Sequence, residues 1–128
     1  MTATVWAATA DAGRQRVLTQ AVAEAAHRLG IGPSDIAEVI GKSQPTASRL
    51  LSGKYLLADG KKEWELSAHF VRLYRSLSSV VGGNDELARE WLKSPNRAFD
   101  GQMPIVVIKR VDGLIHACEY LDAHRARV

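Results

Sequence analysis

The sequence predicts an all-α protein, and three observations carry the prediction. Apolar residues recur three and four apart through most of the chain, as they do along one face of a helix. The periodic stretches end at glycine and the next opens on a capping or helix-starting residue, as at Gly30 and Gly32-Pro33, Gly41 and Ser43, and Gly82-Gly83 and Asn84. The run Ile105 to Ile108 is β-branched and would make a strand by composition alone. It follows Pro104, a residue suited to a first helical turn, and precedes the pair Asp112-Gly113, so a short helix is expected instead.

Composition narrows the class further. At 128 residues, 46% hydrophobic and 24% charged, the chain can bury one continuous core or two small sub-domains that share an interface. A formal net charge of +3 permits nucleic-acid contact without demanding it, so any basic patch must be local. One cysteine excludes an intramolecular disulfide framework and fits a reducing cytoplasm. Ile105 to Ile108 is far too short to span a bilayer, and Met1 to Ala12 lacks the basic start of a secretory signal. The expected location is the cytoplasm, away from membranes.

In chain order, Met1 to Asp11 is small and polar apart from Val5 and Trp6 and is expected to be an arm, with Trp6 resting on the core or docking on a partner. From Gly13 to Leu29 the positions Leu18, Val22, Ala25 and Leu29 share a helix face. After Gly30 a second helix is capped by Gly32, starts with Pro33, carries Asp35 at the positive end of its dipole and buries Ile36, Ala37, Val39 and Ile40. Gly41 breaks it, Ser43 caps a third from Gln44 to Leu51, and Ser52-Gly53 ends that one. The whole stretch, PSDIAEVIGKSQPTASRLLSGK, is a helix-turn-helix with the small residue Ala37 where the helices approach.

Leu56 to Gly60 reads as a linker, and Lys61 to Val81 as the longest helix. It carries one stripe through Trp64, Ala68, Val71 and Leu77 or Ser78 and another through Leu66, Phe70, Leu73, Leu77 and Val80. Such a helix needs cover on more than one side. The expectation is that one side packs on the helix-turn-helix and the other on the C-terminal region or on a second copy, favouring a homodimer that reads two half-sites. Beyond Gly82-Gly83, Asn84 caps a helix with Asp85 and Glu86 in its first turn and Leu87, Ala88, Trp91 and Leu92 along one side. WLKSPNRAFDGQMP (91–104) then combines two aromatics, an Asx-type turn at Asn96 and a reversal at Gly101, so it reads as an ordered connection. The last helix is expected from Leu114 to about His124, burying Leu114, Ala117, Cys118 and Leu121.

Two resemblances follow. The helix-turn-helix resembles the Xre and phage-repressor type, in which the front of the second helix enters the major groove. That implies base-edge roles for Gln44, Thr46, Ser48 and Arg49, since Gln pairs bidentately with adenine and Arg with guanine. It implies phosphate contacts for Lys42, Ser43 and Lys54, with Lys61 and Lys62 extending the strip. Asp and Glu are thin between Lys42 and Lys62, where only Asp59 intrudes. The alternative is a helical packing unit whose charges are simply solvated.

Trp91, Leu92, Pro95, Asn96, Phe99, Gly101, Pro104, Ile105 to Ile108, Asp112-Gly113 and the final helix, taken together, resemble the C-terminal domain of the Xre/MbcA/ParS antitoxins. The resemblance divides the chain into an arm and helix-turn-helix (1–60), a connecting helix (61–83) and a toxin-binding domain (84–128). It implies a partner, a RES-domain toxin that consumes NAD or transfers ADP-ribose from it, whose cleft the C-terminal domain covers. Trp91, Pro95, Asn96 and Phe99 are expected to shape that domain, with Asn96 and Arg97 near the toxin. Ala123 to Val128 is expected to plug the cleft, with His124, Arg125, Arg127 and Val128 as contacts, Arg125 or Arg127 pairing a carboxylate bidentately and the Val128 carboxylate in an anion subsite. The HRARV ending departs from the family's glycine and apolar ending, and a solvated basic helix end is the competing account. A dimeric repressor without a toxin is the alternative function.

Nothing in the sequence supports catalysis. No G-x-S-x-G, P-loop, H-E-x-x-H or paired-carboxylate arrangement is present. His116 and Cys118, two apart, point away from each other on a helix, so neither a metal nor a cofactor is expected, and Cys118 reads as core.

Overall fold

A computed structural model of the chain describes the backbone of residues 2–127 and the side chains of residues 12–126. Helices are the only regular structure among them: α1 (Thr2–Leu29), α2 (Pro33–Ile40), α3 (Gln44–Leu51), α4 (Lys62–Val80), α5 (Asp85–Leu92), a 3-10 turn (Arg97–Phe99), α6 (Pro104–Val107) and α7 (Val111–Arg127). No helix among the described residues is long and apolar enough to cross a membrane.

The predicted caps are in place. Gly32 precedes Pro33 at the start of α2, the Ser43 hydroxyl accepts the Thr46 N–H at 3.3 Å, and Asn84 Oδ1 accepts the Leu87 N–H at 3.1 Å. Gly41 closes α2 with φ 73° and lets Lys42 N–H reach Ala37 O at 2.9 Å, which turns the chain into α3.

Three boundaries differ from expectation. α1 reaches back to Thr2, so the stretch read as an arm is helical; it is alanine-rich, and no proline or glycine interrupts it before Gly13. Val5 and Trp6 lie outside the described side chains. α7 begins at Val111 rather than Leu114, which places Gly113 in its first turn instead of in a linker. A Cβ on Gly113 would lie 2.0 Å from Val107 O, so close packing of α6 on α7 demands the glycine. At the other end α7 continues to Arg127, past the expected stop at His124.

α4 is the axis of the molecule, packing along α7 and against α1 and α2. Its Leu66, Phe70, Leu73 and Leu77 are buried, and they join Val22, Leu29, Ile36, Ile40 and Leu50 on one side and Leu114, Ala117, Cys118 and Leu121 on the other in a single core. Burial of each such leucine contributes about 1.5–3 kcal/mol. The second stripe of α4 is only partly covered: Val71 is buried, Trp64 half-buried and Ala68 exposed. The run at 105–108 is helical as expected, with Ile105, Val107 and Ile108 turned inward.

Candidate nucleic-acid and partner interfaces

On α3, Ala47 and Leu50 face the core, so Gln44, Ser48 and Arg49 lie on the exposed front. Thr46 departs from the expected role. Only 9% exposed, it accepts the Ser43 hydroxyl at 3.0 Å and the Arg49 Nη2 at 3.2 Å, and so steadies the neighbours that face outward. Lys42 is also engaged. Its ammonium lies 3.0 Å from Glu63 Oε1, on a carboxylate that is 5% exposed. Glu63 Oε2 accepts the Tyr55 hydroxyl at 2.7 Å and the Ala58 N–H at 2.9 Å. Burial by itself raises the Glu63 carboxyl pKa, but these donors outweigh it and hold the group below its ordinary value. The same pair raises Lys42, chiefly through the hydrogen bond to Glu63.

The network fixes the path from α3 to α4, helped by the Thr19 hydroxyl, which accepts the Leu57 N–H at 3.0 Å. Sequence spacing gave no sign of it, because the burial of Glu63 is tertiary. The cations left exposed are Arg49 and Lys54 on and just after α3 and Lys61 and Lys62 at the start of α4, together with the Ser43 cap. Asp59, the acid in this strip, pairs with Arg14 at 3.0 Å. The geometry offers a polar front with basic flanks.

The second surface is built on the Asn96 loop. Asn96 O accepts the N–H groups of Phe99 (3.0 Å) and Gly101 (2.9 Å), its N–H donates to Gln102 O (3.1 Å), and its side chain accepts the Ala98 N–H (2.9 Å). Asn96 thus shapes the loop, while Arg97 stands exposed beside it. Buried Phe99 meets Trp91 edge-on at 6.0 Å and Tyr120 at 5.4 Å, and Trp91 stacks on Tyr120 at 6.5 Å. His116 lies 5.4 Å from Phe99 and His124 4.3 Å from Tyr120. Sequence reasoning found Trp91 and Phe99 but missed the part Tyr120 and His116 play in the cluster; four-residue spacing on α7 (116, 120, 124) was the available signal.

His124 donates through Nδ1 to Tyr120 O at 3.0 Å, and Arg125 lies on the side of α7 toward α1. Both belong to a continuing helix rather than to an extended tail. The Arg127 side chain and Val128 lie outside the described residues. Cys118 is fully buried, its Sγ 3.3 Å from His69 O, and burial pushes its thiol up to about 11. No group of three or more potential metal ligands exists among the described residues.

The two surfaces are tied together. Lys109, at the end of α6, reaches Asp35 at 2.7 Å and Glu38 at 2.8 Å on α2, and Arg89 of α5 donates to Arg28 O at 2.9 Å. Arg72 and Ser76 of α4 both hold Asp122 of α7, the latter at 2.5 Å.

Comparison with known families is decisive here. The antitoxin Xre-like helix-turn-helix domain matches residues 9–72, and the antitoxin Xre/MbcA/ParS C-terminal toxin-binding domain matches residues 76–127. The chain belongs to the Xre/MbcA/ParS antitoxin family. The two family domains meet inside α4, between Arg72 and Ser76, the pair that holds Asp122. A solved chain of the M. tuberculosis MbcT-MbcA toxin-antitoxin complex is similar in fold, with a TM-score of 0.66 at 20% identity over 88% of this chain and 96% of that one. No curated protein matches.

Proposed function

We propose that this antitoxin binds and neutralises a RES-domain toxin, one that degrades NAD or transfers ADP-ribose from it, by covering the toxin's cleft with the α5–α7 surface. The observation that carries the reading is the cluster in which Trp91 of α5 and Tyr120 and His124 of α7 gather around buried Phe99 of the Asn96 loop. It is a pre-shaped aromatic surface with a cation, Arg97, beside it, the composition that interface anchors favour. The end of α7, with Arg125 and Arg127 before Val128, lies C-terminal to this surface, and its guanidiniums suit the acidic groups of a catalytic pocket. That the similar M. tuberculosis chain comes from a toxin-antitoxin complex supports the same assignment.

The exposed front of α3 supports a second activity of the same chain, repression of its own operon as a dimer on two half-sites. Gln44, Ser48 and Arg49 read base edges, and Ser43, Lys54, Lys61 and Lys62 contact phosphates.

Co-expression tests both. Growth and cellular NAD are followed in cells carrying the toxin encoded by the neighbouring frame alone, with the intact chain, or with a chain lacking Arg125 to Val128. Relief by the intact chain and failure of a folded, truncated one is the expected pattern; full relief by the truncated chain removes the plug. No relief by the intact chain leaves a dimeric repressor without a toxin. Arg49→Ala should weaken operator binding by about 10- to 100-fold, as for loss of a bidentate base contact, and leave neutralisation intact.

A further inference from the structure

Apart from Arg125, the residues lining the groove between α1, α4 and α7 make no contact with toxin or DNA in either proposed activity. Val17, Leu18 and Ala21 of α1 and Trp64, Ala68 and Val71 of α4 form its apolar lining, around about 1140 Å³ of space. Val17 is 69% exposed and Ala68 is also exposed, so the groove opens to solvent between α1 and α4. It is larger than the roughly 300–1,000 Å³ usual for small-molecule sites, and it suits one face of a helix. This lining includes the second stripe of α4, which the fold leaves partly bare.

Charge on the rim decides what fits. Arg14, Arg72, Arg75 and Arg125 edge the groove, against one carboxylate, Asp122. Arg14 is held by Asp59 and lies 5.3 Å over the Trp64 ring, and Arg72 is held by Asp122. Arg75 and Arg125 have no ion-pair partner among the described residues. A second copy laid groove to groove would set one arginine-rich rim against another, an arrangement that like-charge repulsion opposes.

We propose that this groove seats an amphipathic helix of a protein other than this chain, with acidic residues flanking its apolar stripe. The stripe covers Ala68 and Val17, and the flanking carboxylates pair with Arg75 and Arg125 across the rim. The site shares Arg125 with the tail proposed for the toxin cleft, but its apolar lining and Arg75 belong to no part of the Trp91–Tyr120 surface, so Arg75→Glu and Ala68→Trp test it separately from neutralisation.

The test is a titration of the isotope-labelled full chain with two synthetic helical peptides of identical leucine stripe, one flanked by glutamates and one by lysines. The glutamate peptide should bind at least about tenfold more tightly, near one desolvated charge pair in free energy, and shift the amide signals of Ala21, Ala68 and Val71. Arg75→Glu should remove most of that preference. Ala68→Trp, which fills the groove from an exposed position, should abolish binding with helix content unchanged by circular dichroism. Equal affinity for the two peptides, no binding by either, or shifts confined to the aromatic surface would overturn the proposal. So would light scattering that shows a dimer of the wild-type chain broken by Ala68→Trp, since a second copy would then be the occupant.

Discussion

The two ends of α4 are held by different forces. At its start, Glu63 gathers Lys42, Tyr55 and the Ala58 N–H around one buried carboxylate, and these polar contacts fix a segment with no helix of its own. Toward its other end α4 meets α7 mainly through apolar packing, with Arg72 and Ser76 holding Asp122 at its edge, and α6 closes on α7 so tightly that Val107 O occupies the space a side chain at 113 would need. Directional hydrogen bonds suit a loop, because each one sets an angle and a distance. Close packing suits helix faces, because it tolerates no vacancy and ignores pH. The connection from α3 to α4 is therefore positioned by directional polar contacts, and the aromatic surface by steric fit.

The sharpest way to break this comparison is Gly113→Ala. The added methyl meets backbone rather than a flexible side chain, so α6 must move; we expect a loss of about 3 kcal/mol and a fall in Tm of about 10 °C by circular dichroism. A Tm within a degree of wild type would show that the corner is loose and that packing does not set the C-terminal surface.

Glu63→Gln tests the other end. Its expected cost is about 2 kcal/mol near pH 7 in urea titrations, since the substitution disrupts hydrogen bonds to a charged acceptor. The Glu63 carboxyl is held below its ordinary value, so its contribution is complete at neutral pH and disappears as pH falls through the ordinary carboxylate value of about 4.3 and below. Asp122, lowered chiefly by the Ser76 hydroxyl and then by Arg72, titrates in the same direction. The variant should accordingly show a shallower, but not flat, loss of stability on acidification. An unchanged acid slope would remove Glu63 from the account.

The smallest effect belongs to Lys109→Ala. Its pairs with Asp35 and Glu38 join the two halves at the surface, where such contacts contribute about 0.5 kcal/mol. A loss several times larger, read as a shift in urea midpoint, would mean that charge holds the C-terminal half as well.

What the sequence revealed divides along the same line. Local features were legible: the caps at Ser43, Asn84 and Asn96 act within three residues, and the inward faces of α2, α3 and α7 follow from periodicity. The family followed from spaced residues between Trp91 and Gly113, and the family comparison bears it out. Features that depend on distant chain were not legible. Gly113 looked like a turn residue, because the carbonyl that demands it approaches only in the folded molecule. Thr46 and Lys42 looked free because the contacts that occupy them need the cap geometry and the burial of Glu63. The groove was half visible, as a second stripe on α4 awaiting cover; its arginine rim comes from three helices and appears only when they assemble.

Cys118 adds a practical consequence. It is the chain's one thiol, it lies in the seam between α4 and α7, and both its burial and its raised pKa suppress the reactive thiolate. A maleimide can reach it only while that seam is parted. The labelling rate of the unmodified protein is therefore a clock for how often its central helix pair comes undone, and it runs without any engineered probe.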